Sequence, residues 1–488
     1  MEKFKYNHGF ILGITLVSAM GGLLFGYDWV VIGGAKPFYE RFFEITSSPY
    51  LQGWAMSSAL IGCLIGASVS GYFSDRYGRK LPLIAAAALF TIAAIGTGAV
   101  THFTPFIIYR LIGGVGIGLA SAISPMYIAE ISPASMRGRL VSINQLTIVI
   151  GILSAQIVNY LIAEKIPAGA TEEMLLQSWN SQQGWRWMFW AGTVPAILFF
   201  IFSFFIPESP RFLAKTGKWK EAEVILKRIG GIDYATQESK EIAETLHGSD
   251  IKFDWKALTS RQTRPLLTLG IVLAIFQQWC GINVIFNYAE EIFTAAGYSV
   301  GDMLFNIVIT GAVNLVFTFI AMRMVDSWGR RKLMLLGAIG LSVIYFLLGS
   351  SYFFKVEGMA ILLLVMLAIA TYAMTLAPIT WVVLSEIFPN KIRGAAMAIA
   401  TTALWIACFV LTYTFPILNT FLKASGTFWL YGFICLAGFL FILKKLPETK
   451  GRSLEEIEKQ AHSSPESSPV SLLQSEQVQV IDTGKNNL

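Results

Sequence analysis

Twelve stretches of about 20 mostly apolar residues recur along this chain of 488 residues, and each is long enough to cross the hydrocarbon core of a bilayer as a helix. They fall at approximately 9–35, 51–73, 80–100, 104–128, 140–163 and 185–206, then at 266–294, 303–324, 331–354, 358–386, 393–421 and 426–445. A backbone in lipid has to satisfy its own hydrogen bonds, so the pattern predicts an all-α membrane protein with twelve transmembrane helices. Charged residues make up only 14% of the chain, where a soluble domain carries about 25%. Lys3 and Lys5 precede the first run in the manner of a signal peptide. That run continues past Asp28 to about Ala35, which favours an uncleaved first span.

The spans divide six and six about a charged region, 207–265, whose pattern predicts short amphipathic helices at the membrane surface. The expected division is a first six-helix bundle over 1–206, a cytoplasmic linker over 207–265, a second bundle over 266–446 and a tail from 447. The tail is rich in Ser, Gln, Pro and Asn from about His462 and is expected to be disordered. Lys and Arg crowd the loops after every second span, roughly 22 against roughly six on the other side, which predicts that those loops and both termini are cytoplasmic. The net charge of +6 is therefore a topology signal and not a nucleic-acid footprint.

An internal repeat supports the same division. Asp75-Arg76-Tyr77-Gly78-Arg79-Lys80 follows the second span, and Asp326-Ser327-Trp328-Gly329-Arg330-Arg331-Lys332 follows the eighth. Glu130 and Arg137 follow the fourth span, and Glu386 and Arg393 follow the tenth at the same spacing. Pro207-Glu208-Ser209 closes the first half, and Pro447-Glu448-Thr449 closes the second. Two pseudo-symmetric six-helix halves follow.

With these motifs, and with GGLLFGYD (21–28), YRLIGGVGIGLAS (109–121), PMYIAEISPASMRGRL (125–140), PESPRFL (207–213), QQWCGIN (277–283), SEIFPNKIRG (385–394) and PETKGRSLEEIE (447–458), the chain resembles the sugar porter family of the major facilitator superfamily. The resemblance runs from about residue 10 to residue 457. It implies two bundles packed around a central cavity, rocking between outward-open and inward-open states.

Asp28 and Arg110 are the main ionisable residues placed far from either membrane surface. A charge at mid-membrane costs about 2.5–3.5 kcal/mol on insertion scales and usually finds a partner. At 1.5 Å per residue both lie roughly 10 Å below the outer end of their helices, so they can meet. A static ion pair that fixes helix register is one reading; a proton relay, in which neutralising Asp28 releases Arg110, is the other. The resemblance implies the relay, because proton-coupled members carry the acid here and animal facilitators carry a neutral residue.

A sugar needs amides that both donate and accept, and a flat aromatic surface. The seventh span holds Gln277, Gln278, Asn283 and Asn287. On an undistorted helix they would not aim at one ligand, but Gly281 offers a place to bend. Gln277 and Tyr288 would share a face. Gln145 and Asn314 are further candidates, and Trp381 and Trp405 could stack on the ring. The resemblance implies sugar contacts at Gln145, Gln277, Gln278, Asn283, Trp381 and Trp405. The chain departs from the family at Asn287, where a tyrosine is usual, at Leu404, where a polar amide is common, and at Ala377, which replaces a usual glycine. The substrate is therefore read as a monosaccharide, pentose or hexose of the D-xylose kind, with no single sugar selected.

Asp75, Arg79, Glu130 and Arg137 end the first bundle on the cytoplasmic side, as Asp326, Arg330, Glu386 and Arg393 end the second. Pairing among them is expected to close the inner side in the outward-facing state. The glycines at 113, 114, 116 and 118 lie mid-span with no strand before them, which predicts close helix packing and not a dinucleotide loop. Cys63, Cys280, Cys408 and Cys435 lie singly in apolar runs, so neither a disulfide framework nor a metal spacing is read. With no catalytic constellation and no P-loop, the reading is a secondary transporter and not an enzyme, without cofactor, metal or nucleic acid. Its partners are a monosaccharide, a proton and the lipid bilayer, and it acts as a monomer in the inner (plasma) membrane. A uniporter, a polyol–proton symporter and a non-transporting sugar sensor are the alternatives.

Overall fold

The computed structural model describes residues 4–166, 171–247, 260, 263–388 and 392–447. The tail expected to be disordered, with His462, lies outside the described residues. Five long helices open the chain: α1 (His8–Phe42), α2 (Pro49–Tyr77), α3 (Lys80–Ala99), α4 (Phe103–Ile131) and α5 (Arg137–Ile162). The short α6 (Glu172–Gln177) leads into a π-helical turn (Asn180–Gly184), which continues as α7 (Trp185–Ala191) and α8 (Thr193–Ser203) to form the sixth span. Arg41, at the end of α1, holds the Glu172 carboxyl of α6 below its usual range through a hydrogen bond at 3.0 Å. The linker contributes α9 (Pro210–Lys215) and α10 (Trp219–His247), the latter kinked at Gly231.

The second half begins with a broken span: α11 (Arg264–Trp279), α12 (Ile282–Asn287) and α13 (Ala289–Ala295). It continues with α14 (Val300–Trp328), α15 (Arg330–Phe353), α16 (Met359–Met374), α17 (Leu376–Ile387) and α18 (Arg393–Lys445). A helix of the 53 residues in α18 would be about 80 Å long, well over twice the hydrocarbon thickness. Its backbone turns at Lys423, where φ is 58°, so α18 is two spans. Among the described residues, eleven helices are long and apolar enough to cross a membrane, and with α18 counted as two they make twelve crossings, six on either side of the linker.

Three boundaries differ from the sequence reading. The first helix runs to Phe42 and not to about residue 35, with Pro37 inside it. Lys36 and Glu40 ended the apolar run, yet they are buried as an ion pair one turn apart at 3.2 Å. The tenth span breaks at Thr375 (φ −123°, ψ −86°), just before Pro378, whose ring removes a helical donor. The sixth begins at Asn180, five residues earlier than expected.

Because the crossings are even in number, both ends of the described chain share one face, called here the near face. The Asn7 amide bonds the Ile229 carbonyl of α10 there, at 2.8 Å. The halves are knit internally by small residues. A Cβ on Gly114 of α4 would stand 2.0 Å from the Ala59 carbonyl oxygen of α2, and one on Gly62 2.2 Å from that of Leu111. The mid-span glycines therefore let α2 and α4 touch backbone to backbone. The four cysteines are buried and unpaired.

Gly114→Val is expected to lower stability by at least about 1–3 kcal/mol through overpacking, read as a lower melting temperature in detergent. Gly71→Ala, where the added methyl meets nothing within 4 Å, should leave it unchanged. Equal melting temperatures for the two variants would contradict the packing account.

Candidate functional site

Asp28 sits in the middle of α1, and Arg110 two turns into α4. Arg110 Nη1 donates to Asp28 Oδ1 at 2.7 Å. Arg110 is buried, and its guanidinium lies 5.8 Å from the Phe189 ring centroid. The second carboxylate oxygen, Oδ2, is buried without a protein partner, and so is Arg110 Nε. Two small cavities flank Asp28. One, of about 20 Å³, lies inside the first half among Leu24, Phe90 and Phe189. The other, of about 10 Å³, touches Trp29, Cys63, Arg110 and, from the opposite half, Asn287. The acid therefore stands between its own bundle and the seam, beside space for about one water on each side.

The amides come together because the seventh span breaks. Gly281 takes φ +85°, a left-handed conformation that side chains with a Cβ rarely adopt. A hydrogen-bonded chain crosses the break: Asn283 Nδ2 donates to Gln278 Oε1, Gln278 Nε2 to Gln277 Oε1 at 2.6 Å, and Gln277 Nε2 to the Tyr372 hydroxyl at 2.5 Å. Gln277 and Gln278 are buried. Each of these amides keeps further hydrogen-bonding capacity that a hydroxylated ligand could use. Asn287 is also buried, with Oδ1 unpartnered, and projects toward Asp28 instead of into the amide chain. Tyr288 does not share the Gln277 face: its hydroxyl bonds the Thr412 carbonyl at 2.7 Å and its ring packs on Phe415. The break at Gly281 turns it away.

Trp405 is buried against the α1 rings of Phe25 and Trp29, with centroids 6.1 and 6.3 Å away. Trp381 is 39% exposed, and Gln145 is exposed. Gln145 lies three turns from Gln156 on the same face of α5. Gln156 packs against Gly311 of α14, and both atoms of its amide are buried without partners. Asn314 is buried one turn further along α14. Gln145 thus faces the seam where it opens, and Gln156 faces it where it is shut. The other close approaches between halves, Gly33 to Asn287 and Gly53 to Tyr413, also lie toward the far face. The close approaches between the halves therefore gather toward the far face. The sequence reading missed Trp29 and Gln156. Gln156 carried a signal, an amide on the face of Gln145; Trp29 became visible only through its neighbours.

At the near face each half repeats one ion pair. Arg79 Nη2 meets Glu130 Oε1 at 2.7 Å, and Arg330 Nη2 meets Glu386 Oε1 at 3.1 Å. Glu130 also accepts from Ser209 Oγ at 2.5 Å. Both pairs lie within a half. Asp75 pairs with Lys215 of the linker at 3.0 Å, and Arg137 donates to the Ser132 carbonyl at 3.5 Å. The side chains of Asp326 and Arg393 lie outside the described residues.

Gly281→Ala should cost about 1–3 kcal/mol of stability from the left-handed backbone, with its new methyl 2.9 Å from the Tyr431 ring. Thermal unfolding checks this, and an unchanged midpoint would show that the break does not require glycine.

The family described as Sugar (and other) transporter matches residues 14–461. The D-xylose-proton symporter of Escherichia coli K12 is 41% identical, over 93% of this chain and 96% of its own length. The arabinose-proton symporter of Bacillus subtilis is 38% identical over the same shares. Among solved structures, the inward-open conformation of the xylose transporter XylE from E. coli superposes with a TM-score of 0.81 at 39% identity, covering 92% of this chain and 99% of that one. The XylE structure bound to 6-bromo-6-deoxy-D-glucose gives 0.74 at 40% identity, covering 94% and 100%. A family match over nearly the whole length, and relatives this similar across more than nine-tenths of it, establish that the chain belongs to the sugar porter family of the major facilitator superfamily.

Proposed function

We propose that this chain moves a monosaccharide, a pentose or hexose, together with a proton by alternating access. The observation that carries the reading is the buried Asp28–Arg110 pair, which has one carboxylate oxygen without a protein partner and borders a cavity shared with Asn287 of the opposite half. The relatives' names, D-xylose-proton symporter and arabinose-proton symporter, support the same chemistry.

The near face is the cytoplasmic one, on the strength of its Lys and Arg, and the membrane is the inner (plasma) membrane, crossed by a monomer. The first and second six-helix bundles are the rocking bodies, joined by the linker of 207–265. The sugar is held on the side of the second half by Gln277, Gln278, Asn283, Asn287 and Asn314, with Trp381 and Trp405 against its ring faces and Gln145 reaching across from α5. Gln156 joins this set through its unpartnered amide.

The proton binds Asp28 at Oδ2, the oxygen without a protein partner. Neutralising the carboxylate weakens its hold on Arg110, and the freed guanidinium changes which packing of the first half is favoured. Sugar and proton therefore enter a common state from outside, and both leave when the near side opens. In the outward-facing state the near-face charges re-pair between the halves. Asp75, Arg79, Glu130 and Arg137 then face Asp326, Arg330, Glu386 and Arg393 and shut the inner side.

Asp28→Asn is expected to abolish sugar accumulation against a gradient in proteoliposomes while leaving exchange of labelled sugar at equal concentrations within about threefold, because binding and rocking survive without the titratable group. Accumulation that persists in the variant would overturn symport in favour of uniport. Gln278→Ala should weaken sugar binding by about 1–3 kcal/mol, the cost of stranding buried amides, measured by titration calorimetry. Unchanged affinity would place the sugar elsewhere.

A further inference from the structure

Eight residues beyond Asp28 toward the far face, α1 carries a lysine that the sequence reading left outside the span. Lys36 is 2% exposed, and the chemistry around it is unusual for a helix end. Its Nζ lies 2.7 Å from Glu291 Oε1 and 3.5 Å from Glu290 Oε2, both on α13 of the opposite half. It lies 3.2 Å from Glu40 Oε2, one turn along its own helix, and 5.8 Å from the Tyr288 ring centroid. Two amides complete the cluster. Gln52 of α2 donates to Glu40 Oε2 at 3.2 Å, and Asn419 of α18 donates to Glu291 Oε2 at 3.1 Å. One ammonium thus ties α1 and α2 of the first half to α13 and α18 of the second.

We propose that Lys36 is a far-face latch whose grip on Glu290 and Glu291 holds the outer mouth shut in the state seen here. The inference rests on the alternating-access reading above. Opening the far side requires α1 to part from α13, and so requires the ammonium to leave both acids. A buried ion pair that loses one partner is strongly destabilised, because an uncompensated charge stays behind. Glu40 removes that obstacle. It sits on the same helix and travels with Lys36, so the ammonium keeps a counter-charge after the acids of α13 depart. Glu290 and Glu291, about one-fifth exposed already, become hydrated on opening. The cluster closes the mouth reversibly, and its strength sets how often the carrier faces outward.

Cys63 is a built-in reporter. It is fully buried, and it lines the small cavity beside Asp28 and Arg110, between the latch and the near face. A membrane-impermeant maleimide applied to the far face of spheroplasts reaches it when the mouth opens, and mass spectrometry of its peptide gives the labelling rate. Lys36→Met should raise that rate by at least about fivefold, the low end of ordinary conformational coupling. Glu290→Gln combined with Glu291→Gln should do the same, and the triple variant should add nothing further. Lys36→Arg should stay near the unaltered rate. If Lys36→Met fails to fold, the double glutamine variant carries the test alone, since Lys36 keeps Glu40 there. Unchanged labelling in folded variants, or full additivity of the lysine and glutamate changes, overturns the latch. Run with a protonophore and without sugar, the assay uses neither substrate nor a proton gradient, so its failure leaves symport standing; loss of coupled uptake with latch-dependent labelling intact would do the reverse.

Discussion

A carboxylate and a guanidinium held 2.7 Å apart between helices of an apolar bundle set the terms for everything else in this molecule. Each alone would be too costly at that depth, and together they are stable only while both remain charged. On the proposed symport reading the pair is a two-state element, because one proton on the acid removes the charge that holds Arg110 to it. The cavity that reaches Asn287 sets the pair against the opposite half.

The rest of the fold makes room for this arrangement. Interlocked glycines bring α2 and α4 into backbone contact next to Arg110. Gly281 breaks the seventh span, which turns amides that would diverge on a straight helix into one hydrogen-bonded chain. Contacts between the halves at Gln156, Gly53 and Gly33 lie toward the far face, while Gln145 and Trp381 are left exposed toward the near one.

Much of this was legible in the residues themselves. Hydropathy marks spans because lipid forbids anything but helix, and the repeated Asp, Glu and Arg motifs appear in space as the twin pairs Arg79–Glu130 and Arg330–Glu386. The depth of Arg110 could be counted from the start of α4, whereas α1 runs on to Phe42, so the count from its expected outer end set Asp28 about two turns too shallow. What could not be read depended on partners distant in sequence. Lys36 and Glu40 looked like the end of a span because hydropathy scores each charge as if it faced solvent; Glu290 and Glu291, some 250 residues away, bury them instead. Tyr288 seemed to face the amides only on an unbroken helix, and Trp29 gained its place from Trp405.

The central claim is that sugar and proton move as a unit. It is tested most directly by adding sugar outside proteoliposomes of the unaltered chain, with no imposed gradient, and recording external pH. The account predicts alkalinisation outside that rises with sugar entry and vanishes when a protonophore is added. Sugar entry with no accompanying proton movement would contradict it.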